Sequence, residues 1–131
     1  MDHIKQIIAI AEYCGWKEIG KSGVYQNTIK GINGCVPGGE VHRKRIQMKL
    51  PGANSFLVPN YTNDLNAMHE AEKHLVDNFT TQDFQIARYV NHLENLVSSN
   101  VPKYGWSFAL TAATAAQKAE AFLKTIGKWE E

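Results

Sequence analysis

The chain has 131 residues, a length that suits one domain with its own hydrophobic core, so we expect a single domain over residues 1–131. Apolar residues make up 44%, charged residues 21% and the formal net charge is +1, which excludes an overall bias toward nucleic acid, anionic membranes or acidic substrates. Because apolar stretches are far shorter than the ~20 residues of a membrane span and no signal-peptide core is visible, we expect a cytoplasmic protein without a membrane partner.

The first half of the chain predicts one helix and two strands. Apolar residues recur at helical spacing up to Gly15, which stands where a left-handed residue often ends a helix, so a helix is expected from about Asp2 to Cys14. Glycines and prolines then divide residues 16–59 into short pieces. Two of these pieces are predicted to be strands, Val24 to Ile32 and Val41 to Leu50.

Two helices are predicted to follow. A side-chain oxygen of Thr62 or Asn63 can accept from the unpaired amides of a first turn, so the second helix is expected from there to about Val76. The third helix begins near Thr80, whose spacing to Asp83 resembles a capping box. The apolar stripe of the second helix consists of Leu65, Met68, Leu75 and Val76, and that of the third consists of Ile86, Tyr89, Val90, Leu93, Leu96 and Val97.

The end of the chain predicts a strand and a final helix. Aromatic and aliphatic residues alternate from Tyr104 to Leu110, which is typical of an interior strand. Thr114 and Gln117 have the spacing of a capping box and Gly127 can end the helix, which is therefore expected over Thr114 to Ile126. Its predicted apolar stripe consists of Ala115, Ala116, Ala119, Phe122, Leu123 and Ile126. Four helices with two or three strands and no regular alternation favour an α+β fold, with the helices layered on a small antiparallel or mixed sheet.

One segment matches the phosphate-binding motif G-x-x-x-x-G-K-S, from Gly15 to Ser22. That motif binds phosphate only where a buried strand leads into it and a helix follows it. Here a helical pattern comes first, and the residues from Gly23 to Asn27 do not begin an amphipathic helix. We interpret the match as a helix end followed by a turn and expect the protein not to be an enzyme.

The histidines and cysteines predict neither a metal site nor a cofactor. His69, Glu70 and His74 resemble a zinc-protease helix, but the histidines are five residues apart rather than four. At ~100° per residue they are separated by about 140° around a helix, so they cannot hold one ion from one face. Cys14 and Cys35 form no CxxC pair. We expect the histidines to lie on the surface.

Glu72 is a candidate site residue because it falls inside the apolar stripe of the second helix. A carboxylate there must be paired, hydrogen-bonded or protonated. Two interpretations stay open: an internal bond to an amide or a basic side chain, or contact with a ligand.

The densest positive charge runs from His42 to Arg45 and continues at Lys49. In a strand, Arg43, Arg45 and Lys49 would project from one face and could bind phosphate or an acidic partner. The alternative is a solvated edge strand that its charges protect from aggregation.

Two segments look familiar, VPNYTNDLNAMHEAEK (Val58 to Lys73) and ATAAQKAEAFLKTIGKW (Ala113 to Trp129). As a pair they resemble small phage and prophage proteins of unknown function related to the phage ABA-sandwich domain family. They cover about a quarter of the chain and leave Gly15 to Leu57 unmatched. The resemblance implies an α/β/α sandwich, a phage origin and action in the cytoplasm of a bacterial host, and it provides no catalytic residues.

The leading hypothesis is a phage-encoded, non-enzymatic protein that sequesters a nucleotide-type bacterial immune signal. The cations Arg43, Lys44, Arg45 and Lys49 would bind its phosphates. An aromatic residue would stack on its base, and Glu72 is a further contact. The aromatic candidates are Trp16, Tyr61 and Trp106.

Two alternatives from other classes remain. The glycine-rich middle of the chain suits an interaction module that binds and inhibits a host or phage protein. Nucleic-acid binding is a weaker third option, because four or five cations beside a near-neutral remainder form a small electrostatic footprint. A small-molecule pocket in so short a chain is often completed by a second copy, so we expect a homo-oligomer.

Overall fold

The computed structural model describes residues 1–54, 57–77, 85–97 and 112–131, and these form a mixed α+β fold. Five helices and one three-stranded antiparallel sheet are present in these ranges. In chain order they are α1 (His3–Tyr13), β1 (Trp16–Glu18), β2 (Val24–Asn27), β3 (Ile32–Cys35), α2 (Glu40–Gln47), α3 (Leu65–Asp77), α4 (Gln85–Val97) and α5 (Ala115–Thr125).

Helix α1 confirms the prediction for the N-terminal segment. The Asp2 side chain accepts a hydrogen bond from the amide of Ile4 at 3.1 Å, which satisfies one of the unpaired donors of the first turn. Cys14 is the C-cap residue, and Gly15 follows at φ +96°, a conformation that favours glycine.

The segment predicted as one strand, Val24 to Ile32, instead contains β2, a turn and the first residue of β3. β2 and β3 pair with each other across a turn, and β2 also pairs with β1, which the sequence did not predict. Asn27 ends β2, and its Oδ1 accepts hydrogen bonds from the amides of Ile29 and Lys30, both at 3.1 Å. Gly31 completes the reversal at φ +66°. An asparagine that binds the following backbone favours a turn over a continued strand.

The predicted strand from Val41 to Leu50 is wrong, because residues Glu40–Gln47 form helix α2. A turn at Pro37 and Gly38, closed by the Gly39 amide donating to the Val36 carbonyl at 3.0 Å, precedes α2. The Glu40 carboxylate pairs with Lys44 at 3.1 Å across one turn of the helix. Glu40 lies in the first turn, whereas Lys44 and Arg45 lie in the last, so both signs of charge complement the helix dipole. The alternation that suggested a strand falls on Ile46, Met48 and Leu50, which are all exposed.

Helix α3 begins later than predicted. Asp64, rather than Thr62 or Asn63, provides the capping oxygen, which accepts from the amide of Asn66 at 2.9 Å. Leu65 therefore lies at the exposed start of the helix, whereas Met68 and Leu75 of the predicted stripe are fully buried. The side chain of Val76 lies outside the described part.

Helix α4 confirms the predicted stripe except for Val90, which is half-buried and does not pack against the core. Tyr89 and Leu93 are buried, and Ile86, Leu96 and Val97 pack against the core. The predicted capping box at Thr80 and the predicted strand from Tyr104 to Leu110 lie outside the described residues.

Helix α5 confirms the prediction at both of its ends. Thr114 and Gln117 form the reciprocal capping box. At the other end, the amide of Lys128 donates to the Leu123 carbonyl at 2.8 Å, and Gly127 has φ +76°. Of the predicted stripe, Ala116 is exposed, while Ala119, Phe122 and Leu123 are fully buried.

The core is organised around α5, which packs on α1, α3 and α4. The Phe122 ring meets Tyr13 and Tyr89 edge to face, with ring centroids 5.4 and 6.3 Å apart. The sheet joins this bundle through β1, where Trp16 is buried and β1 contacts α1.

A close backbone contact connects β3 to the segment that follows α2. The amide of Val58 donates to the Cys35 carbonyl at 2.9 Å, and a Cβ on Gly34 would lie 2.8 Å from backbone atoms of Leu57 and Val58. Only glycine permits this approach, which holds the segment before α3 against the sheet.

We expect His92 to make stability fall as the pH is lowered. Burial on α4, and secondarily the Lys124 ammonium, lower the pKa of His92 below its ordinary value of 6.5. The unfolded chain therefore binds a proton more readily than the folded chain, so stability that is fully present above pH 6.5 is lost as the pH falls through the lower pKa of the folded state. Urea denaturation at pH 7.5 and at pH 5.5 measures the loss of unfolding free energy on acidification. This loss should be smaller for His92→Asn than for the wild type, whereas the control His3→Asn should show the wild-type loss. Equal losses in the wild type and His92→Asn would contradict the assignment.

Candidate functional site

The predicted cations lie on α2 and directly after it, but they do not share one face. In a helix, Arg43 and Arg45 are about 200° apart, so the common face expected from a strand does not form. Arg43 and Lys44 are exposed, and so is Lys49, which follows the helix at φ +51°. Arg45 is half-buried and turns toward the sheet.

Arg45 lines a depression of about 540 Å³ between α2 and the β2–β3 hairpin. The other walls come from Val24 at the start of β2 and from Gly31, Ile32, Asn33 and Gly34 on the β3 side. The depression therefore combines one guanidinium group with backbone and aliphatic surface.

His42 fixes α2 to the loops on both sides of it. The amide of Gly38 donates to Nδ1 of His42 at 2.9 Å, so the proton of the neutral ring lies on Nε2. Nε2 is 3.0 Å from Oδ1 of Asn54, which can accept that proton. One end of α2 is thus held to the preceding turn and to the following loop by a single side chain.

The hairpin and α2 also expose most of the large hydrophobic side chains. Six of the seven that are exposed in the described ranges fall between residues 19 and 50, and each of the six is between 43% and 79% exposed. They are Ile19, Ile29, Ile32, Ile46, Met48 and Leu50.

Charge is concentrated in the same part of the chain. Residues 16–50 contain seven lysines and arginines against two glutamates, a net charge of +5, while the remaining residues carry −4. The overall +1 conceals this separation, which a count by segment would have found. We call the exposed and half-buried side chains of residues 16–50 the hairpin–α2 surface.

Two of the predicted aromatic contacts are core residues. Trp16 is 2% and Tyr61 is 3% exposed, and together with Cys14 they line a cavity of about 50 Å³, separate from the depression at Arg45. Burial raises the pKa of Cys14 to about 12, despite the neighbouring Tyr61 hydroxyl and Lys30, and burial also raises the pKa of Tyr61. The structure does not bring these aromatics together with the cations of α2, and Trp106 lies outside the described residues.

The segment that matches the phosphate-binding motif has a different local structure. Gly15 ends α1, β1 follows, and Gly20 lies in the turn between β1 and β2. The Ser22 hydroxyl donates to the Ile19 carbonyl at 2.6 Å within that turn. Since the motif leads into a strand, no helix N-terminus stands beyond it to hold phosphate.

Glu72 lies at the centre of a polar cluster between three helices. Its Oε2 accepts a hydrogen bond from the Tyr89 hydroxyl at 2.8 Å, and its Oε1 accepts from Nζ of Lys118 at 3.4 Å. The Lys118 and Glu72 side chains are only 11% and 17% exposed, whereas that of His69, 3.8 Å from Oε1, is 70% exposed. Burial raises the pKa of Tyr89, and the adjacent carboxylate raises it further, so the hydroxyl remains a donor.

The same cluster borders a cavity of about 410 Å³, which we call the α3–α4–α5 cavity. The internal pairing of Glu72 is therefore confirmed, and the carboxylate also borders this cavity. The described residues that line the cavity are His69, Glu72, Lys73, Ile86, Tyr89, Val90 and Lys118.

Lys118 and Tyr89 were not predicted as site residues. Lys118 precedes the buried Phe122 by four positions and follows the buried Ala115 by three, so it falls on the apolar face of α5. Lys118 lies in the apolar face of α5, and Glu72 lies in the apolar face of α3. Two opposite charges in two apolar faces are the signal that could have identified the pair.

The histidines of α3 do not share a site. His69 is exposed, whereas His74 is half-buried and lines the small cavity beside Tyr61. Within the ranges that the structure describes, no group of three or more His, Cys, Asp or Glu side chains is placed to hold a metal ion.

Comparison with protein-family models, with curated proteins and with solved structures found no match to this chain. Among the described helices, none is long and apolar enough to cross a bilayer.

Proposed function

We propose that this chain is a non-enzymatic binding protein that holds an acidic protein partner on the hairpin–α2 surface. One observation carries the proposal: exposed aliphatic side chains and a net charge of +5 coincide in residues 16–50. Exposed hydrophobic side chains that are concentrated in one part of a protein favour an interaction site, and an excess of one charge favours a partner of the opposite sign.

The combination favours a protein over the other anionic partners. Nucleic-acid interfaces are more polar than this surface, since phosphates do not pack against isoleucine or leucine. Membrane-binding helices commonly insert aromatic side chains, whereas the exposed large side chains here are aliphatic and α2 has only eight residues.

Self-association through the hairpin–α2 surface is disfavoured. A symmetric dimer places the same patch of both copies in contact, which would bring a net charge of +5 against another +5. The homo-oligomer expected from the sequence would have to form through a different surface.

Charge reversal at the end of α2 tests the proposal. The immobilised chain is incubated with a nuclease-treated bacterial lysate, and bound protein is quantified for the wild type and for Arg45→Glu/Lys49→Glu. We expect the wild type to retain an acidic protein at close to one copy per chain and the variant to retain about tenfold less or lower, since opposed charges become like charges.

The matched control is Lys5→Glu/Lys128→Glu, which changes the net charge equally at two exposed lysines outside the hairpin–α2 surface. It should retain the partner at the wild-type level. Equal losses in both variants, or binding that nuclease treatment abolishes, would overturn the proposal. Binding of anionic vesicles with no retained protein would do the same.

A second candidate is the binding of a phosphate-bearing small molecule, such as a nucleotide-type immune signal. The specific observation that favours it is the depression at Arg45, whose volume of about 540 Å³ lies in the range of small-molecule pockets. Calorimetric titration with a panel of cyclic nucleotides and cyclic ADP-ribose isomers tests it: binding that Arg45→Gln weakens supports it, and silence across the panel excludes it.

The α/β/α sandwich, the phage origin and the bacterial cytoplasm belong to the proposal as well. They rest on the two similar segments, Val58 to Lys73 and Ala113 to Trp129, which together form most of α3 and all of α5.

A further inference from the structure

We infer that the α3–α4–α5 cavity binds a small organic anion with an apolar body, whose carboxylate is held by Lys118. This site is separate from the hairpin–α2 surface, and its occupation does not depend on the partner proposed for that surface.

The Lys118 ammonium group has more hydrogen-bond donors than it uses toward the described residues, and its side chain is largely shielded from water. Its side chain is 11% exposed, and its one hydrogen bond to the described residues is the 3.4 Å contact with Glu72. An ammonium group has three donors, and a shielded ammonium with unused donors favours an anionic acceptor.

Glu72 does not depend on Lys118 for its position. The shorter of its two bonds, 2.8 Å, comes from the Tyr89 hydroxyl, which is itself buried. Lys118 can therefore turn toward a ligand while Glu72 keeps a hydrogen-bond partner, so binding does not leave a carboxylate without one.

The charge and shape of the cavity select the class of ligand. Lys73, Lys118 and Glu72 give the described wall a net charge of +1 with His69 neutral, which favours a monoanion. Ile86 and Val90 on α4 add apolar surface to the lining, and about 410 Å³ accommodates a one- or two-ring molecule.

The probe is 1-naphthoate, compared with the neutral amide 1-naphthamide, which has the same body and no charge. Calorimetry on the full chain at pH 7 and low salt should show naphthoate binding about tenfold tighter or more, as expected for one charge-assisted hydrogen bond. Lys118→Met should remove this preference, whereas Lys128→Met, an exposed lysine outside the cavity, should leave it unchanged.

Glu72→Gln distinguishes a binding role from a structural one. The substitution keeps an acceptor for Tyr89 but removes the negative charge beside Lys118, so naphthoate affinity should increase several-fold. If Glu72 and Lys118 had only a structural role, naphthoate affinity would instead fall in both the Glu72→Gln and the Lys118→Met variants. Circular dichroism of each variant checks the fold, and if Lys118→Met does not fold, the Glu72→Gln result decides.

Three outcomes overturn the inference: equal affinity for naphthoate and naphthamide, weaker naphthoate binding by Glu72→Gln, or no binding of naphthoate by the folded wild type at millimolar concentration.

Discussion

Replacing Phe122 by alanine should destabilise the protein by about 3–5 kcal/mol, the largest effect that we expect from a single substitution. Phe122 is fully buried on α5, and its ring contacts Tyr13 from α1 and Tyr89 from α4 edge to face. Alanine would remove both ring contacts and leave a cavity where the three helices meet, which the surrounding backbone can refill only in part. Urea denaturation monitored by circular dichroism measures the change in unfolding free energy.

Two controls separate this packing effect from an effect on the helix. Phe122→Leu keeps most of the volume and should lose clearly less stability than Phe122→Ala. Ala116→Ser changes an exposed position of the same helix and should stay within about 0.5 kcal/mol of the wild type. A loss below about 1 kcal/mol for Phe122→Ala would contradict the central position of α5 in the core.

Replacing Glu72 by leucine should cost about 2 kcal/mol of stability. The change leaves the buried Tyr89 hydroxyl and the nearly buried Lys118 ammonium without their acceptor. Removing one partner of a fully buried pair costs about 3–5 kcal/mol, and the residual exposure of Glu72 and Lys118 reduces that cost here. Equilibrium urea denaturation at pH 7 measures the difference.

The same helix provides the matched control. Glu70 pairs with Lys73 at 3.1 Å, but both side chains are more than half exposed, so Glu70→Leu should change stability far less than Glu72→Leu does. The double variant Glu72→Leu/Lys118→Met should recover part of the loss, because no charge is then left unpaired. Equal losses for Glu70→Leu and Glu72→Leu would show that the cluster contributes nothing specific.

The helices with complete end signals were predictable because each signal is local. In α5, the capping box of Thr114 and Gln117 binds backbone groups of the first turn. Gly127 ends the helix through its own positive φ. The start of α3 shows the limit of such signals, since Thr62, Asn63 and Asp64 can all cap a helix. The backbone conformation at the turn decides which one does.

The prediction for residues 41–50 failed because a short alternating pattern at Ile46, Met48 and Leu50 was interpreted without knowing what covers it. Alternation predicts a strand only where one face is buried, and here all three side chains are exposed. The predicted cations are therefore present, but they do not share the predicted face. Arg45 faces the sheet, whereas Arg43 and Lys44 face solvent.

Local sequence patterns were enough to predict the ends of α1 and α5, most of the apolar stripes of α4 and α5, and the need of Glu72 for a partner. Each of these depends on residues a few positions apart or on the cost of burying a charge. The partners of Glu72 are Tyr89 and Lys118, 17 and 46 residues away, and the three side chains border a cavity; neither fact could be predicted without the packing of the helices. Such contacts depend on how the helices pack against each other, which local spacing does not specify.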